Sequence, residues 1–182
     1  MVSLDDRRYA GTRRGVSPVD LRDRDASASW QGPLESVPVT LAMPAEFMRA
    51  LEELEAIGST DERSQLECVA HVAEVLHVTA KRLRLVFEQA RTELTPTHNE
   101  SVIAGVDAAS LPIIRAALVA AAADLGEAVS EGALDAWTFT AYEGDRVVSA
   151  ETLLREALDD AHEHLQDLQR RVRAQDTDHS LT

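Results

Sequence analysis

The segment "ALDDAHEHLQDL", Ala157 to Leu168, carries two histidines and four acids between leucines spaced for a packed helix. Imidazole nitrogens and carboxylate oxygens are the donors that divalent first-row metals take, so the question is whether any of these side chains share a point in space. At about 100° per residue, with Ala161 centred on the apolar stripe, His164 falls about 60° to one side and Asp160 about 100° to the same side. Four residues apart, the two can reach one spot beside the seam. His162 projects to the opposite flank, and Asp159 and Glu163 point to solvent. A further donor stands in "SQLECVAHVAEVL", where His71 interrupts a column that continues apolar through Val78 and Leu85.

His71 has two readings. A lone histidine in an apolar line is commonly a core residue bonded to a carbonyl or a carboxylate. If it instead converges with Asp160 and His164, two imidazole nitrogens and one carboxylate oxygen suit Zn²⁺ or Ni²⁺ first, with Fe²⁺ or Mn²⁺ also accommodated. Three protein ligands leave a position for water or substrate, as catalytic rather than structural sites do. Only neutral imidazole binds, so such a site empties as pH falls toward about 6. Glu67, one turn before His71, is taken up by a capping box with Ser64 and stays outside the ligand set. Cys68 reads as a small apolar thiol in the core, with thiolate ligation the less common alternative. His77, His98 and His179 sit on polar faces or loops and read as surface residues. No Gly-rich phosphate loop, dinucleotide fingerprint or G-x-S-x-G elbow occurs, so neither an organic-cofactor site nor a nucleophile can be assigned. A Cys68–His71 pair on one helix turn aligns poorly for proton transfer.

The elements that must position these residues are helical. In a chain of 182 residues with 45% hydrophobic and only 4% aromatic residues, the core must be built from Leu, Val, Ile and Ala. Residues 1–41 are polar and broken by Gly15, Pro18, Gly32, Pro33 and Pro38, which predicts an irregular N-terminal extension with at most a short extended stretch at "VPVTLAM". A helix is expected from Met43, with Pro44 in its first turn and Phe47, Leu51, Leu54 and Ile57 as its stripe. The clearest period is Leu66, Val69, Ala73, Leu76, Ala80, Leu83 and Phe87, started by Ser64 and closed near Leu94 by Pro96. A third helix follows over "LPIIRAALVAAAADLGEAV", capped by Asp107 or Ser110. "TFTAYEGDRVVS" suggests a hairpin or crossover loop turning at Gly144. Ser149 caps a last helix whose stripe is Leu154, Leu158, Ala161, Leu165, Leu168 and Val172. The expectation is an all-α four-helix bundle over residues 42–175, with a frayed tail at 176–182.

A formal charge of −14 disfavours nucleic acid and anionic lipid as partners, although "DDRRYAGTRRG" makes the N-terminal arm locally basic. The chain has one cysteine, no apolar run of membrane-spanning length and no signal-peptide pattern at its start, so a cytoplasmic setting is expected.

"SQLECVAHVAEVLHVTAKRL" and "VVSAETLLREALDDAHEHLQDLQR" resemble the second and last helices of the DinB-like superfamily of metalloenzymes, also called DinB/YfiT-like, which includes the N-terminal domain of mycothiol-dependent maleylpyruvate isomerase. The resemblance spans roughly Ala42 to Val172 and places the family's metal ligands on His71, Asp160 and His164. The chain departs from the family where Arg63 replaces a Trp before Ser64, and where Asp159 and Glu163 stand in place of histidines. The resemblance implies an up-down-down-up bundle, a homodimer, a divalent metal, and a low-molecular-weight thiol such as mycothiol as co-substrate in S-transfer or isomerisation. The competing expectation is a non-catalytic helical dimer with a degenerate or empty metal site, acting as a binding or structural module.

Overall fold

The computed structural model describes residues 32–58, 62–95 and 111–179. Four helices carry the fold: α1 (Pro33–Ala56), α2 (Glu62–Glu88), α3 (Leu111–Glu131) and α4 (Ala150–His179). Both α1 and α2 pack against α3 and α4, while α1 and α2 barely touch each other and so stand on a diagonal. Along the α2–α4 seam, Ser64 meets Arg171, Cys68 meets His164 and His71 meets Asp160. Numbers fall on one helix as they rise on the other, so these two helices run antiparallel.

The core is aliphatic, as the composition requires. Leu54, Leu66, Leu76, Leu118, Leu154 and Leu168 are among its fully buried side chains, with Phe47 the largest. In α2 the expected stripe is buried from Leu66 to Leu83, with Phe87 packed on its edge. In α4 the expected stripe also faces the core, and α3 buries Ile114, Leu118, Ala122, Leu125 and Val129 against it. Ser149 caps α4 as expected: its Oγ accepts the Thr152 N–H at 3.0 Å.

Three boundaries differ from the sequence expectation. The first helix begins at Pro33, inside the segment 1–41 expected to be irregular, and carries both Pro38 and Pro44 within it. Its buried face runs Ser36, Thr40, Met43, Phe47, Ala50 and Leu54, steps of four and three whose first two members are polar. Those two hydroxyls are satisfied within the helix: Thr40 donates to the Ser36 carbonyl at 2.9 Å and Ser36 to that of Pro33. Second, Ser64 does not cap α2, which starts at Glu62. Ser64 Oγ instead accepts from Arg171, and Glu67 is paired with Arg63 at 2.9 Å rather than closing a capping box. Third, the α4 backbone stays helical to His179, through most of the tail expected to fray. The candidate α3 caps Asp107 and Ser110, together with His98, lie outside the described residues.

Helix α2 stops at Glu88, short of Leu94, because the chain turns through Arg91 (φ 64) into a small sheet. Strand β1 (Glu93–Leu94) pairs in parallel with β2 (Thr140–Glu143), which pairs antiparallel with β3 (Arg146–Ser149). The expected hairpin turn is present, with Gly144 at φ 61. A single 3₁₀ turn at Ala136–Thr138 precedes it. Among the described residues no helix is long and apolar enough to cross a membrane.

Candidate metal centre

Helices α2 and α4 bring His71, Asp160 and His164 together. One ligand atom from each lies within 4.8 Å of the others. His71 Nε2 is 3.4 Å from Asp160 Oδ2, and His164 Nε2 is 3.8 Å from Asp160 Oδ1. The two imidazole rings meet edge to face at 73°, with centroids 5.0 Å apart. The three side chains projected from the sequence therefore share one place.

The carboxylate of Asp160 has an uneven environment. Its side chain is 40% exposed, yet Oδ2 is closed to solvent and has no hydrogen-bond partner among the described residues. The nearby His71 nitrogen attracts it without the alignment of a hydrogen bond. A carboxylate oxygen withdrawn from water without a donor is costly, and a cation between it and the two imidazoles would remove that cost. Two nitrogens and one oxygen form a donor set that first-row divalent ions accept. The residues present fit the group.

Cys68 adds a contact that helical spacing did not reveal. Its Sγ lies 3.5 Å from Nδ1 of His164, the ring nitrogen turned away from Asp160. The thiol thus holds the back of the ring while Nε2 faces the cluster, the usual division of labour around a ligating imidazole. Burial pushes the Cys68 pKa up to about 11; the carboxylates of Asp167 and Asp160 push the same way, and Arg171 opposes them. The group is a thiol at neutral pH and stands outside the ligand set. No pattern within one helix could have disclosed this contact, because it depends on which turn of α4 faces Cys68.

The remaining polar residues lie elsewhere. Asp159 and Glu163 are exposed, as projected, and His162 pairs with Gln166 on its own helix at 2.8 Å. His77 is on the surface beside Asp124 at 3.3 Å. Beside His71 and Asp160 an open cleft of about 240 Å³ lies between α2, α4 and β2, bordered also by Arg82 and Glu143. The cluster therefore meets a space that a small molecule can enter.

No family model, curated protein or solved structure matches the chain.

Proposed function

We propose that the chain is a divalent-metal-dependent enzyme of the DinB-like kind, a low-molecular-weight-thiol S-transferase with mycothiol-type thiols as co-substrate. Zn²⁺ and Ni²⁺ lead as the ion, ahead of Fe²⁺ and Mn²⁺, on the strength of the two-nitrogen, one-oxygen donor set. The observation that carries the reading is the Asp160 carboxylate facing both imidazoles at the border of an open cleft, with its Oδ2 closed to solvent and without a hydrogen-bond donor. The up-down-down-up order and the homodimer belong to the same reading and rest on the helix-level resemblance, while the cytoplasmic setting rests on the sequence pattern alone.

A divalent ion supplies Lewis acidity, which lowers the pKa of a thiol or water and makes it nucleophilic near neutral pH. The chain's own residues do the positioning. His71 and His164 present imidazole nitrogens from two helices whose packing fixes their separation. Asp160 contributes one carboxylate oxygen and the only negative charge of the triad. Cys68 keeps the His164 ring from turning. The cleft admits a substrate beside α2 from His71 onward, further along the helix than Cys68.

Elemental analysis of protein purified without a polyhistidine tag tests the reading. Close to one metal per chain is expected. His71→Ala and His164→Ala should each lower occupancy by tenfold or more, as about 1.4 kcal/mol per tenfold makes easy for a lost ligand, while the far-UV circular dichroism stays helical. No bound metal, even after soaking at pH 8, would overturn the enzyme reading and leave the helical binding module in its place.

A further inference from the structure

We infer that the cleft beside the triad binds a small molecule carrying a positive charge, an amine whose counter-charge is Glu74. Calling that molecule a substrate rests on the metal-enzyme reading; the charge preference does not.

The floor of the cleft is apolar, formed by Val75, Val78, Leu153 and Ala157. Four carboxylates border it: Glu74, Glu143, Glu156 and Asp160. Two of them are already balanced by arginines. Arg82 holds Glu143 at 3.0 Å and also donates to the Thr95 carbonyl at 2.7 Å. Arg146 contacts both Glu143 and Glu156. Asp160 belongs to the triad. Glu74 is left, half-buried on α2 one turn beyond His71, with no hydrogen bond or ion pair among the described residues.

A carboxylate at the border of an apolar cleft with no cation beside it attracts one, and the attraction strengthens as a ligand displaces water from the cleft. The cleft has no arginine free for an incoming anion, because the guanidinium of Arg82 is engaged by both Glu143 and the Thr95 carbonyl. A carboxylate or phosphate ligand would instead enter past the uncompensated Glu74 and be repelled by it. An ammonium group on a short apolar body fits the lining: the body lies on the valine and leucine floor, and the charge reaches Glu74.

Matched probes isolate the charge. Phenethylamine, 2-phenylethanol and 3-phenylpropionate share a shape and differ in being cationic, neutral and anionic. Each is titrated into the ¹⁵N-labelled full chain, first without metal and then, for the cationic and neutral probes, with zinc added. The expected result is that the amine shifts the amides of Val75, Val78, Leu153 and Ala157, binding about fivefold tighter than the alcohol, the scale of one partly exposed charge pair. The propionate should be the weakest of the three. Glu74→Gln should make amine and alcohol equal while zinc uptake and helicity stay as in the parent. Equal binding by the parent chain, tighter binding of the propionate, binding of none, or a preference that survives in Glu74→Gln would each overturn the proposal. Failure to take up zinc with the amine preference intact would overturn the metal-enzyme reading alone.

Discussion

At the residue scale, Cys68 shows how a side chain outside the donor set can be judged by its surroundings. Burial is the main reason its thiol titrates at about 11, and the carboxylates of Asp167 and Asp160 add to it. The shift also bears on stability. Folding keeps the thiol protonated, so this contribution is complete below the unfolded value near 9.0 and is lost as pH rises through about 11. In metal-free protein, iodoacetamide should modify Cys68 at pH 8 at least about a hundredfold more slowly than it modifies a free cysteine, whose thiolate is far more abundant at that pH. The rate should keep climbing toward pH 11. A midpoint near the free-thiol value, followed by mass spectrometry across a pH series, would contradict the buried environment. The triad itself was legible at this scale because four residues of helix return Asp160 and His164 to one flank, and His71 interrupts an apolar column. The Cys68–His164 contact was not legible: it needs the register between two helices, and no residue type announces that.

Among the elements, the four helices were readable wherever their buried stripe was made of aliphatic residues, and the start of α1 was misread where it was not. The first ten residues of α1 bury Ser36 and Thr40, whose hydroxyls bond to carbonyls of their own helix, so the period of three and four continues in residues that look polar in sequence. Pro33 and Pro38 reinforced the impression of a loop, although the helix accommodates both. Strand β1 was missed because it is two residues long and gains its partner, β2, only by folding. One connection in this region is tightly packed. A side chain at Gly132 would come within 2.7 Å of Phe87 and 2.9 Å of the Trp137 indole nitrogen. Those two rings are themselves stacked edge to face, with centroids 4.9 Å apart. Neither ring can retreat without disturbing the other, so Gly132→Ala should destabilise the fold by about 1–3 kcal/mol, the range for overpacking a filled core. Urea unfolding read by far-UV circular dichroism would measure it; an unchanged midpoint would mean that the rings yield freely.

For the whole molecule, the charge of −14 draws cations of every kind, so a bound metal has to be told apart from a diffuse counter-ion cloud. The two respond differently to salt. At physiological ionic strength the Debye length is about 8 Å, and attraction to scattered surface acids is largely screened. Donors from two helices close on one ion act at contact distance and keep their hold. Because His71 lies on α2 and the other two donors on α4, the site exists only when those helices are packed together. A metal bound there stabilises the folded chain by mass action, about 2.7 kcal/mol at a hundred times Kd. For a domain of this size that corresponds to a rise in Tm of roughly 5–10 °C. In 0.15 M salt, Zn²⁺ or Ni²⁺ should produce this rise in the parent chain and little of it in His71→Ala. Mg²⁺ at the same concentration should produce almost none, since it favours oxygen ligands over imidazole. Equal shifts from all three ions, or a zinc shift that survives in His71→Ala, would mean that the acidic surface binds the metal and the α2–α4 seam does not.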